Sequence, residues 1–174
     1  GSTNDTAKYT TLSGPALPYE TGDIGKIVSR LKRGRWKEGM EALKPLESKE
    51  TEEKLRKKAI EVRKAMEQWA GAELKRLERV VAEALAKRKW FDVEAYTRMR
   101  AVSDAFPDPG KAFVDKLKNL EKKQADEIKR RGDYLAARTG EEKDPAASKI
   151  VYQELAKAKD SRTAKVAQHR LSWW

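Results

Sequence analysis

The chain has 174 residues, 39% apolar and 39% charged, and its 39 Lys and Arg against 28 Asp and Glu leave a formal charge of +11. Charges interrupt every apolar run, so no window reaches the roughly 18 to 20 apolar residues of a membrane span, while the length is about that of one domain. Zero Cys removes disulfides, thiolate metal sites and Cys nucleophiles, and a single imidazole, His169, removes the zinc and iron sites that need two or more.

Residues 1–22 are rich in Thr, Ser, Gly and Pro and carry no period, which reads as a flexible leader opening on a Gly1-Ser2 tag remnant. Its Tyr9, Leu12, Leu17 and Tyr19 are the side chains able to dock on the body. From Asp23 onward helix formers dominate and no alternating β-branched stretch occurs, so the expected fold is all-α over residues 23–172. Asp23 is placed as the cap of a first helix to about Arg33, with Ile24, Ile27, Val28 and Leu31 inward, and Trp36 to Leu46 as a second.

Between Glu50 and Lys89, Leu55, Ala59, Val62, Met66, Ala70, Leu74, Leu77, Val81 and Leu85 recur at steps of three or four, the apolar face of one long helix that Gly71 is positioned to bend or divide. A helix from Trp90 to Phe106 follows, then a break at Phe106-Pro107-Asp108-Pro109-Gly110, where two prolines cannot continue a regular helix. Lys111 to Arg131, Tyr134 to Ala137, Ala146 to Ala158 and Ser161 to Leu171 complete the helical run. Trp173 and Trp174 are adjacent indoles that one helix face cannot bury together, and 173–174 reads as the cut end of a longer chain.

The helix junctions repeat a spacing: Gly34-Arg35-Trp36 then Gly39, Arg88-Lys89-Trp90 then Val93, and Gly132-Asp133-Tyr134 then Ala137. A tight turn wants a flexible residue, an aromatic two later wedges between paired helices, and a small residue one turn on lets their backbones approach. A second junction recurs as Asp108-Pro109-Gly110-Lys111-Ala112 and Asp160-Ser161-Arg162-Thr163-Ala164, each read as a helix start with an Asp cap. At these residues the chain resembles tetratricopeptide repeats, and Gln153 to Ser161 with Ala164, Ala167 and Leu171 resembles the variant found in bacterial envelope proteins. The turn motifs lie farther apart than that family's repeat, so the resemblance implies stacked antiparallel hairpins of unequal length around one long helix. It further implies protein or peptide binding, an extracytoplasmic setting, and no catalytic residue.

Six basic residues fall in the twelve from Lys26 to Lys37 with no acid among them, beside Trp36. Lys32, Arg33, Arg35 and Trp36 therefore form the candidate polyanion site, with Arg130 and Arg131 as a second patch. By segment, however, the charge is +2 over 1–50, +4 over 51–88, −1 over 89–110 and +6 over 111–174, an excess spread over many helix faces. Trp36, Trp69 and Trp90 suit packing between helices. The paired acids, Glu52/Glu53, Asp126/Glu127 and Glu141/Glu142, stand among Lys and Arg at helical spacing and read as solvated, salt-laced faces.

No glycine-framed serine accompanies His169, no Glu-x-x-His occurs, and Gly-rich phosphate loops are missing from the sequence. The expectation is a non-enzyme without metal or cofactor, a module of a larger protein or assembly that binds a protein or peptide. Nucleic-acid or polyanion binding through 26–37 is the second reading. A dimer through the long 50–89 helix is the third, separable by a solution mass.

Overall fold

Ile24, Ile27, Val28 and Leu31 fall three and four apart, and the helix that carries them turns all four into the core. It runs Gly22–Lys32 (α1) in a computed structural model that describes Pro15, Leu17 and residues 20–174. The remaining leader, with Tyr9, Leu12 and Tyr19, lies outside the described residues, whereas Leu17 is buried. Asp23 sits in the first turn and favours the positive end of the helix; the cap position belongs to Thr21.

The fold is all-α. After α1 come Trp36–Leu43 (α2), Glu53–Glu83 (α3), Val93–Ala105 (α4), Val114–Lys123 (α5), Ala125–Gly140 (α6), Pro145–Leu155 (α7) and Arg162–Leu171 (α8). No strand occurs among the described residues.

Several boundaries depart from the sequence expectation. Pro45, lacking an N–H, tightens the chain after α2 into a 3-10 turn, Lys44–Glu47. Gly71 does not divide α3, because a continuous apolar face offsets the roughly 1 kcal/mol a helical glycine costs. The end of α3 widens into a π-turn, Ala84–Arg88, in which Ala84 is buried and Leu85 only half-buried.

Lys89 stops the helix in the left-handed region at φ +59°, and the Trp90 N–H donates to the Ala84 carbonyl at 3.4 Å. Trp90 precedes α4 because the Asp92 carboxylate takes the Ala95 N–H and starts the helix there. The Pro107–Gly110 segment ends α4 yet makes one helical turn of its own, with Phe106 before it and no Asp108 cap bond.

The chain divides into two compact units. The first holds the described residues up to Arg76 with Met99–Val114. There α1 packs on α2, and Trp36, Trp69 and Phe106 form an aromatic cluster with ring centroids 5.3 to 6.5 Å apart. Gly34 turns the chain between α1 and α2 at φ +82°, and a Cβ on Gly39 would lie 2.5 Å from Leu31 Cδ2.

The second unit holds Leu77–Arg98 and Asp115–Trp174. Here α6, α7 and α8 pack on one another around Tyr134, Ala137, Tyr152, Leu155 and Ala167. Tyr134 and Tyr152 lie 5.5 Å apart, and the buried Ser148 hydroxyl donates to the Ala137 carbonyl at 2.7 Å.

The turn expected at Gly132 is not there. Gly132 and Tyr134 lie inside α6, whose buried Glu127, Tyr134 and Ala137 share one face, and burial of that face offsets the glycine. The break falls instead at Gln124, with φ −110° and ψ 20°.

Candidate functional site

The basic run at the α1–α2 turn is built from residues the two helices cannot bury. Lys26, Lys32, Arg33 and Arg35 are exposed, and Arg30 reaches Glu38 at 3.7 Å. Trp36 does not join them as a platform: its indole is 8% exposed and packed on Trp69 and Phe106, which closes it to a nucleobase. Lys32 and Arg33 edge a shallow hollow of about 230 Å³ shared with Glu20.

In the second unit, Arg130 reaches the Glu127 carboxylate at 3.3 Å, and Arg131 is ion-paired with Glu94 and lies 5.2 Å from the Tyr134 ring. Both cations are therefore committed to local partners.

A different set of residues converges within the second unit. Along α8, Arg162, Lys165, Val166 and His169 follow the i, i+3, i+4, i+7 spacing of one helix face. They line a recess of about 370 Å³ with Arg88 and Lys89 from the end of the π-turn, the half-buried Trp90, and Asp160 and Ser161 from the α7–α8 loop. The Arg162 guanidinium carbon lies 4.3 Å from the Trp90 ring centroid, a cation–π contact that restrains a long side chain. Among the described residues Arg88, Lys89, Arg162 and Lys165 have no carboxylate within ion-pair distance. Lys89 and Asp160, at φ +59° and +52°, are the two non-glycine residues held in the left-handed region among the described residues, and both border this recess.

The start of α8 is fixed by Glu127. Its buried carboxylate accepts from the Ser161 hydroxyl at 2.6 Å, from the Thr163 N–H at 3.1 Å and from Arg130. Ser161, and not Asp160, is the cap: its Oγ accepts the Ala164 N–H at 3.0 Å. The acid thus sits where the helix dipole favours a negative charge and holds the loop that borders the recess.

Glu141 forms a second hub, 15% exposed, accepting from the Tyr152 hydroxyl at 2.8 Å, Arg138 at 3.0 Å and both the Nε and Nη2 of Arg170. The Arg170 hydrogen bonds above all, then Tyr152 and the Arg138 charge, hold its carboxyl down at about 2. Burial, then the hydrogen bond to Glu141, pushes the Tyr152 phenol up. The C-terminal indoles sit beside this hub. Trp174 meets Tyr152 edge-on at 5.9 Å, while Trp173, 71% exposed, lies 6.1 Å from His169 and 5.7 Å from Arg170.

Sequence reasoning placed Glu127 and Glu141 on solvated faces. The missed signal is their register: Glu127, Tyr134 and Ala137 recur at seven and three, and Glu141 follows at four, so both acids continue an apolar stripe. The recess at Trp90 carries no motif, because its residues come from two stretches of chain some seventy positions apart.

No group of three or more His, Asp or Glu positioned to hold a metal occurs among the described residues, and none of the helices they form is long and apolar enough to cross a membrane. No protein family matches the chain, and neither a curated protein nor a solved structure matches it.

Proposed function

We propose that this chain is a non-catalytic helical-repeat module, tetratricopeptide-like in its hairpins, that binds a protein or peptide as part of a larger protein or assembly. The observation that carries the reading is the recess beside α8. It is open, framed by an aromatic side chain and by cations with no carboxylate within ion-pair distance, and mounted on helices whose buried polar groups fix it in place. Short links of three residues between α1 and α2 and four between α6 and α7 support pairing of neighbours as hairpins.

The test is a titration of isotope-labelled protein with a panel of acidic, basic and neutral peptides, followed by amide shifts. Saturable shifts gathered on α8 and around Trp90 are expected; a panel without any saturable binder refutes the reading.

Polyanion binding through residues 26–37 is the second reading, favoured by the exposed Lys32, Arg33 and Arg35. With Trp36 buried, that site has charge but no stacking surface of its own. A gel-shift series in rising salt tests it: a steep fall in affinity supports it, and no shift at low salt removes it.

A further inference from the structure

We propose that the recess beside α8 takes an acidic peptide segment, in which a carboxylate side chain is flanked by an apolar one; this rests on the protein-binding reading above and specifies the partner's chemistry. Arg88, Lys89, Arg162 and Lys165 surround one space whose lining holds a single carboxylate, Asp160. Several cations of the same unit are answered close by: Lys129 by Asp133, Arg130 by Glu127, Arg138 by Glu141 and Lys157 by Glu154. In the recess, four cations without such a partner line one space. Four like charges drawn together without ion-pair partners raise one another's energy, and an entering anion relieves that repulsion.

The chemistry of the walls selects among anions. Trp90 and Val166 give the space an apolar side that a bare inorganic ion does not use and an apolar side chain does. Arg162 already lies over the Trp90 ring at 4.3 Å, which holds its planar donors in place for a carboxylate and takes up an indole face that a stacked base would need. A volume of about 370 Å³ seats side chains from a short peptide and is not a channel for a nucleic-acid backbone. All four cations are exposed, so their attraction acts mainly on encounter and weakens with salt.

The test uses the full chain and fluorescein-labelled (Glu-Leu)4, (Gln-Leu)4 and (Lys-Leu)4 peptides with a labelled twelve-nucleotide oligo(dT), read by fluorescence anisotropy. The variants are the double substitution Arg88→Glu with Lys165→Glu, at exposed positions without ion-pair partners, and the control Lys32→Glu with Arg33→Glu. Circular dichroism checks that both fold. Expected are saturable binding of (Glu-Leu)4, a Kd raised about ten-fold or more by the first pair and unchanged by the second, and weaker binding as salt rises. Equal binding of (Gln-Leu)4, equal binding of oligo(dT), or an unchanged Kd in the Arg88→Glu, Lys165→Glu protein overturns the proposal. Preference for (Lys-Leu)4 or (Gln-Leu)4 overturns it while leaving the protein-binding reading standing; no binding by any of the three peptides overturns both.

Discussion

Replacing Glu127 tests whether one buried acid sets the start of α8. In Glu127→Ala the Ser161 hydroxyl and the Thr163 N–H, on residues 3% and 2% exposed, lose their acceptor where water does not replace it. Each orphaned buried donor costs about 1–3 kcal/mol, so the expected loss for the two is about 2–6 kcal/mol. Arg130, a third exposed, is hydrated when its partner goes and adds little. Glu127→Gln keeps the volume and one oxygen acceptor, and should lose about half as much.

The assay is equilibrium unfolding in urea followed by circular dichroism. With m near 2 kcal/mol per molar for a chain of this size, the alanine variant's transition should fall by about 1–3 M. Hydrogen exchange gives the location: first-turn amides of α8 should exchange faster, and those of α1 should not change. A midpoint within about 0.3 M of the parent would refute the account, since it would mean the carboxylate's bonds are matched by water in the mutant.

Two glycines should respond in opposite directions. Gly132→Ala, exposed in mid-α6 with nothing within 4 Å of the new Cβ, should raise stability by up to about 1 kcal/mol. Gly39→Ala drives its Cβ against the buried Leu31 and should lower it by about 1–3 kcal/mol; thermal melts showing both variants more stable would contradict the packing. Glu141, held down at about 2 against an ordinary 4.5, stabilises the fold above pH 4.5, and that contribution is lost as pH falls from 4.5 towards 2. An acid titration of Glu141→Gln should accordingly lack the part of the parent's stability loss in that window. Lys89→Gly relieves a left-handed lysine and should stabilise by about 1 kcal/mol; a less stable variant in urea unfolding would show that the lysine side chain contributes more than its backbone costs.

Legibility followed periodicity. The helix class and the inward sets of α1 and α3 were readable because apolar residues at three and four steps admit one burial solution. Gly132 misled because glycine marks a turn only when the flanking helix gains nothing by continuing, and Tyr134 and Ala137 make continuing favourable. The break at Gln124 carries neither Gly nor Pro, so nothing local announces it. Glu127 was hidden by its neighbours: among many charged residues only its place on an apolar stripe sets it apart. The recess at Trp90 depends on which stretches of chain pack together, information that no short window holds.

The π-turn at Ala84–Arg88 makes the recess sensitive to chain length as well as to composition. A π-turn holds one residue more than an α-turn of the same rise, so deleting a single residue there would let the helix continue in regular form. The residue lost is one of the wide turn itself, and the side chains beyond it keep their direction, since a regular turn covers the same arc with one residue fewer. Two otherwise similar chains differing by one position at this turn would thus share a fold and keep Trp90 in place, yet present a different set of charges to a partner.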